Sequence, residues 1–400
     1  MKNYKCIAAL MTARGAGAIS SIQLAGAGAE DILKKIFIRL CQPSAALHAM
    51  EGRGFGGQGA KTNFKVGDIL HGNIFDGGAL VDEVVIGCEA KDFFSINCHG
   101  NPIIVENILE LLKKHDVRIA EAREILEYMG EQKHGDNVIA IEAQIGQSQA
   151  ATIYGAKIIG HQTKMGLLQA ANWWLENLDT LELDDIKEGA EQILNDSKIA
   201  DLFIRDVKIV IAGPPNTGKS TLFNRLCGRD KAIVTDIAGT TRDWLSAKVR
   251  LKRIMAEFFD TAGLDQMLSG QNSIDAESQG RAVELIENAD LVLYVVDCTN
   301  PAIVMAGLTE SLKKLVVFNK CDLGKDFPTG GLCISAKTGE GIDRLMTAIE
   351  KTLGVLYFDI KKTVCFTDRQ KGILKQVASA STKQRIKELI QELLKGSVAV

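Results

Sequence analysis

Over residues 1 to about 117, apolar positions come in short runs broken by glycine and polar clusters, the pattern of mixed α/β structure. Ile7-Ala8-Ala9-Leu10 and Ala18 to Leu24 are strand-like, with a glycine-rich turn at Gly15–Gly17 between them. Ala29–Ile38 has helical spacing, and the glycine-rich residues 51–60 read as a loop. Ile69–Phe75 and Leu80–Ile86 flank Asp76-Gly77-Gly78 as a hairpin; Phe93–Cys98 adds a strand and Asn101–His115 a helix. From about 118 to 203 the pattern turns helical, without a proline. Leu167, Leu168, Ala171, Trp174 and Leu175 recur at helical spacing, so Trp173-Trp174 reads as helix–helix core rather than a platform for stacked bases. Residues 204–352 alternate apolar strands with helical stretches. A last helix over 367–396 has no helical partner nearby in sequence and is expected to pack back on 118–203.

Chemistry enters where the strands of 204–352 end. Directly after Val207–Ala212 comes Gly213-Pro214-Pro215-Asn216-Thr217-Gly218-Lys219-Ser220-Thr221. Strand, glycine-rich loop and helix start, in that order, are the context of a phosphate-cradling P-loop. Its N–H groups and the helix N-terminus favour anionic oxygens. Gly213, Asn216, Thr217, Gly218, Lys219, Ser220 and Thr221 are the expected nucleotide contacts, with Lys219 on the β/γ-phosphates and Ser220 on Mg²⁺. Asp260-Thr261-Ala262-Gly263 supplies a carboxylate for the Mg²⁺ shell, and the Gly263 N–H can meet a γ-phosphate. Asn319-Lys320-Cys321-Asp322 closes Leu315–Phe318, and the Asp322 carboxylate can accept from guanine N1–H and the N2 amino group, which adenine cannot offer. Ser335-Ala336-Lys337 closes Leu332–Ile334 and backs the base. Four such segments in order, each at a strand end, specify a GTPase-type α/β domain with its ligand at the carboxyl ends of the strands.

Four hundred residues accommodate two or three domains. With 46% hydrophobic and 24% charged residues the composition is that of a soluble globular protein. A formal charge of −3 gives no global attraction to nucleic acid, so any RNA contact needs a local patch. No apolar run reaches membrane-spanning length, and Met1-Lys2-Asn3-Tyr4-Lys5 leads into too short an apolar segment for a signal peptide. Nine cysteines without a Cys-x-x-Cys read as reduced thiols of a cytoplasmic protein.

The segment Ala232-Ile233-Val234-Thr235-Asp236-Ile237-Ala238-Gly239-Thr240-Thr241-Arg242-Asp243 resembles the potassium-activated tRNA-modifying GTPases of the MnmE (TrmE) family. Ala13 to Ile19 resembles the family's Gly-Arg-Gly-Gly segment, and Cys98-His99-Gly100 its Cys-His-Gly-Gly segment. The resemblance implies an α/β P-loop GTPase domain inserted into a helical domain and preceded by an α+β domain. Residues 1–117 would form a tetrahydrofolate-binding, dimerising domain, 118–203 plus 353–400 the helical domain, and 204–352 the Ras-like G domain. It also implies GTP, Mg²⁺, and a K⁺ ion where other GTPases place an arginine finger, bound by Asn216 and the carbonyls of Thr235 and Ile237. Leu264 follows Asp-Thr-Ala-Gly, so the Ras-type glutamine is absent. Thr240 or Thr241 should join Mg²⁺, Thr241 being favoured. Asp275, or alternatively Glu277, stands where the family has a carboxylate that orients the attacking water. The implied partners are a second copy of the chain, an FAD-dependent MnmG-like protein, and tRNA modified at carbon-5 of its wobble uridine.

Two departures from the family stand out. Its terminal Cys-Ile-Gly-Lys is replaced by Gly396-Ser397-Val398-Ala399-Val400, with Cys365 the last cysteine, and Glu89 to Phe94 replaces its Tyr-Thr-Gly-Glu-Asp stretch. These leave a nucleotide switch without tRNA chemistry as one alternative. A ribosome-assembly GTPase, whose G domains look similar, is the other.

Overall fold

The computed structural model describes residues 5–12, 17–40, 63–134, 137–228, 232–233, 245–260, 285–299, 313–323 and 331–396. They form two compact units, Met1–Gly135 and Asp136–Val400.

The first unit is a seven-stranded sheet in the order β3-β4-β5-β6-β2-β1-β7. Its strands are β1 (Cys6–Leu10), β2 (Ile19–Ala25), β3 (Phe37–Arg39), β4 (Ile69–Asp76), β5 (Ala79–Ala90), β6 (Phe93–His99) and β7 (Val117–Ile119). The hairpin expected around Gly77 forms between β4 and β5, with Gly77 at φ +67 in the turn. Helix α1 stops at Ile36, two residues before the expected end, because Phe37 turns extended and joins the sheet edge as β3. Helices α1 (Ala29–Ile36) and α2 (Pro102–Lys114) cover one face through Ile32, Leu33, Ile36, Ile108 and Leu112. Helix α3 (Ala122–His134) lays Ile125 against Ala9, Ala25 and Phe93, which alternate to the opposite face. Helix α3 thus belongs to this compact unit.

The second unit contains the nucleotide-type sheet, ordered β14-β13-β12-β8-β11-β10-β9. Its central strand is β8 (Val207–Ala212); β11 (Met255–Asp260) pairs with it on one side and β12 (Leu291–Asp297) on the other, both parallel. β13 (Lys314–Asn319) and β14 (Leu332–Cys333) extend the parallel side, while β10 (Leu245–Arg250) and β9 (Ala232–Ile233) are antiparallel additions. The strand order reverses about β8, the switch point where open α/β sheets bind ligands. No proline interrupts these strands, and the nearly continuous burial of Leu291–Val296 fits a strand covered on both faces.

Helices α4 (Val138–Gln149), α5 (Ile153–Gln162), α6 (Leu167–Glu176) and α7 (Leu183–Ile204) precede the sheet. After it, the single helix expected over 367–396 is two, α10 (Asp368–Ser379) and α11 (Lys383–Lys395). Ala380 is extended and Thr382 caps the second helix, its Oγ1 accepting from Arg385 N at 3.2 Å. Both pack with the earlier helices in one core containing Ile139, Trp174, Ile193, Leu374 and Leu389. The tryptophan pair divides: Trp174 enters this core, whereas Trp173 is half exposed, since neighbours on a helix point about 100° apart. Arg369 closes the assembly with bonds to Glu142 Oε1 (2.6 Å, from Nε) and Oε2 (2.9 Å, from Nη2), and Glu142 is buried. Among the described residues no helix is long and apolar enough to cross a membrane.

Arg369→Ala would leave the Glu142 carboxylate buried without its cation, at a cost of about 3–5 kcal/mol. Urea unfolding should show that loss, and adding Glu142→Leu should recover much of it. A loss below about 1 kcal/mol, the value of an exposed pair, would contradict this reading.

Candidate guanine-nucleotide site

The P-loop bridges β8 and helix α8 (Lys219–Cys227) with three residues at positive φ: Gly213 (+142), Asn216 (+59) and Gly218 (+91). Glycine is required at two of them. A Cβ on Gly213 would sit 2.2 Å from the Val295 carbonyl oxygen, and one on Gly218 2.4 Å from Asn319 Nδ2. Asparagine tolerates the left-handed conformation better than most residues, which suits Asn216 to its exposed place in the loop. Lys219 is buried and its Nζ donates to the carbonyls of Gly213 (3.0 Å) and Pro214 (2.9 Å). The ammonium is thereby held inside the loop, where an anion would lie. Thr217 is buried and donates to Pro214 O at 3.0 Å, while Ser220 and Thr221 open helix α8 with exposed side chains.

Asp260 ends β11 in register with Ile211 of β8, which places a buried carboxylate beside the loop. Ser220 and Asp260 are hard oxygen donors of the kind Mg²⁺ takes. Asn319 ends β13 and is buried. Its Nδ2 donates to the Thr217 carbonyl at 2.8 Å and its Oδ1 accepts from Ala336 N at 2.9 Å, so one amide ties the phosphate loop to the base loop. Lys320, at φ +66, donates to the Asn216 carbonyl and to Asp297 Oδ2, both at 2.6 Å. Asp322 is exposed; buried Ser335 donates to its Oδ1 at 2.7 Å and accepts from Thr338 N at 3.1 Å. The second carboxylate oxygen, fixed in direction by this bond, is suited to accept from a base. A cleft of about 570 Å³ is lined by Thr221, Asn224, Arg225, Ala336 and Lys337, so the P-loop helix and the base loop share one opening.

The structure thus brings together Gly213, Asn216, Thr217, Gly218, Lys219, Ser220, Thr221, Asp260, Asn319, Lys320, Asp322, Ser335, Ala336 and Lys337 at one end of the sheet. Gly263, Thr235, Ile237, Thr241, Asp275 and Glu277 lie outside the described residues. Two supporting residues had no motif to announce them. Asp297, at the end of β12 and paired in register with Asn319, anchors Lys320. Burial works to raise its carboxyl, but hydrogen bonds from Lys320 and from the Thr299 hydroxyl and N–H hold it below the ordinary carboxylate range. Arg225 donates from Nε to the Ala336 carbonyl at 2.9 Å and from Nη2 to that of Lys337, fixing the base loop on helix α8.

In the first unit, the two segments that resemble the family's glycine motifs also meet. Gly17 N donates to Gly100 O at 3.0 Å and Gly100 N to Ala18 O at 3.1 Å, and a Cβ on Gly100 would lie 2.3 Å from the Gly17 carbonyl oxygen. Buried Asp82 accepts from His99 N (2.9 Å) and pairs with His99 Nδ1 at 2.8 Å. The neighbouring Cys98 thiol is pushed up to about 11, first by burial and then by Asp82. Cys365 is fully buried and burial pushes its thiol up to about 12. Neither is an activated nucleophile at neutral pH.

The N-terminal segment 6–126 matches the family model for the N-terminus of the GTP-binding protein TrmE, and 208–320 matches that of the 50S ribosome-binding GTPases. The chain is 28% identical over 370 residues to the tRNA modification GTPase MnmE of Xanthomonas oryzae, covering 85% of this chain and 79% of that protein. With MnmE of Thermotoga petrophila it shares 30% identity over 374 residues, covering 82% of this chain and 81% of the relative.

The chain belongs to the MnmE family.

It is accordingly a GTPase, a hydrolase acting on GTP, and the MnmE-type N-terminal match covers the unit that holds Cys98-His99-Gly100. Asp322→Asn in this MnmE-family chain should cut GTP affinity by about a hundredfold, the loss of roughly 3 kcal/mol from two charge-assisted bonds. Xanthine nucleotides should gain affinity in exchange. Competition against a fluorescent GDP analogue measures both; unchanged GTP affinity would remove Asp322 from base recognition.

Proposed function

We propose that this protein hydrolyses GTP with Mg²⁺ and K⁺ and couples the cycle to modification of tRNA at carbon-5 of the wobble uridine. The observation that carries the reading is the braced pair of loops: Asn319 joins a formed phosphate cradle to a base loop whose carboxylate is aimed by Ser335. Relatives named tRNA modification GTPases, matching over four-fifths of their length, supply the tRNA side.

In the hydrolytic step the chain's own residues bind, orient and neutralise. P-loop N–H groups would meet the phosphate oxygens and Lys219 would leave the Gly213 and Pro214 carbonyls for them, while Asp322 and the Ser335–Lys337 loop fix the base. Ser220, Asp260 and Thr241 would hold Mg²⁺, which supplies charge neutralisation on the phosphates. Asn216, with the carbonyls of Thr235 and Ile237, would hold K⁺ where an arginine finger is missing. An amide oxygen and carbonyls are hard donors that suit such a cation. Asp275 or Glu277 would orient the water.

Three domains serve this cycle on our reading: 1–117, 204–352, and a helical domain built from 118–203 and 353–400. The shared helical core and the Glu142–Arg369 pair support the interrupted helical domain. A cavity of about 640 Å³ lined by Leu10, Thr12, Ser20, Val105 and Glu106 is large enough for a tetrahydrofolate derivative in the first unit, which would also form the homodimer. An FAD-dependent partner of the MnmG kind would supply the redox chemistry, in the cytoplasm, where unpaired cysteines persist. A nucleotide switch without tRNA chemistry is the second reading, favoured by the burial of Cys98 and Cys365.

GTP hydrolysis should be faster in KCl than in NaCl by about tenfold or more, the scale of one added transition-state contact. Asn216→Ala should erase the difference; equal rates in both salts for the unaltered chain would contradict the K⁺ site. Nucleoside mass spectrometry of tRNA from a deletion strain separates enzyme from switch: intact wobble-uridine modification would favour the switch.

A further inference from the structure

Tyr357 is 83% exposed, more than any other large apolar side chain among the described residues. It lies just beyond helix α9 (Ile342–Leu353), at the end of the sheet opposite the nucleotide. Its backbone is nonetheless pinned on both sides. Arg253, in the turn between β10 and β11, donates from Nη1 to the carbonyls of Val355 (2.7 Å) and Leu356 (2.6 Å) and from Nη2 to that of Phe358 (3.2 Å). The guanidinium itself lies 5.2 Å over both the Tyr154 and the Phe203 rings. Arg253 N donates to Glu350 Oε1 at 2.7 Å, and Glu350 is fully buried. The ring therefore projects from ordered backbone, so little ordering entropy remains to be lost when it is covered.

Exposed cations lie on the segments next to it. Lys252 neighbours Arg253, Lys351 neighbours Glu350, and Lys361 follows within four residues of Tyr357. Lys313 joins them, its Nζ donating to the Leu353 carbonyl at 3.2 Å. None of the four has a carboxylate partner among the described residues, whereas Lys362 is engaged by Asp196 at 2.7 Å. Asp359 is the exposed acid at the rim, and its Oδ1 accepts from Lys361 N. In a chain of net charge −3, four unneutralised lysines on the segments beside an exposed aromatic ring are a local departure.

We propose that Tyr357, Lys252, Lys313, Lys351 and Lys361 form a docking surface for an unpaired stretch of tRNA, with one base stacked on the ring and the backbone phosphates on the lysines. Stacking on an aromatic within a cationic surface is how single-stranded nucleic acid is held without sequence reading. An acidic protein would need only the lysines; the exposed ring on held backbone is the feature that selects a base. This proposal rests on the reading of tRNA as the substrate.

The test is binding of the full chain to an unmodified tRNA transcript by fluorescence anisotropy over a series of KCl concentrations, with GDP present. Tyr357→Ala should weaken binding by about five- to a hundredfold, and Tyr357→Phe should retain it. Lys252→Gln with Lys351→Gln should reduce the salt slope by about two. All variants should keep the basal GTP hydrolysis rate. If the unaltered chain binds tRNA and Tyr357→Ala binds equally well, the surface is overturned while tRNA remains the substrate. Weaker binding in the lysine variants with Tyr357→Ala unaffected would likewise overturn it, leaving phosphate contacts without a stacked base. No binding by the unaltered chain at low salt would remove the tRNA reading and this surface with it.

Discussion

The buried amide of Asn319 is the constraint on which the nucleotide site depends. Its two hydrogen bonds satisfy the Thr217 carbonyl and the Ala336 N–H, which come from loops more than a hundred residues apart. Gly218 must lack a Cβ because Asn319 Nδ2 occupies that space. Lys320 follows Asn319 and is drawn across the P-loop by its bonds to the Asn216 carbonyl and Asp297. The aim of Asp322 depends in turn on Ser335, which lies in the loop that Asn319 holds. Phosphate recognition and base recognition are therefore one braced object. Removing the amide leaves two buried backbone groups unpaired, at about 1–3 kcal/mol each.

Much of this site is legible in the chain because each part is local chemistry at a strand end. Gly213–Ser220, Asn319–Asp322 and Ser335–Lys337 announce themselves by residue type and by the apolar runs before them. Asp297 does not. It follows an apolar strand with no motif, and only the parallel pairing of β12 with β13 brings it to Lys320. Arg225 and Arg253 are likewise invisible, since their partners are backbone carbonyls, which every residue has. Helical spacing was a weaker guide than strand ends. It merged α10 and α11 across a Ser381-Thr382 break that capping chemistry could have marked, and it placed both tryptophans in a core that only one can reach.

The G-domain sheet is also tied to the helices before and after it. Its core includes Ile158, Ala200, Leu202 and Phe203, and Arg253 grips both Phe203 and the segment after α9. The antiparallel pair β10–β11 runs from this grip to Asp260, so one hairpin connects the buried carboxylate beside the P-loop with the far end of the domain. The hairpin and the shared core thus join the nucleotide-binding end of the sheet to the helical elements by packing.

The most direct test of the braced cradle is calorimetric titration of Asn319→Ala and the unaltered chain with Mg·GDP. The account predicts that the variant keeps its cooperative fold, with a modest fall in melting temperature, and loses about a hundredfold or more in affinity. Unchanged affinity in a folded Asn319→Ala protein would show that the two loops hold the nucleotide independently and would contradict the account.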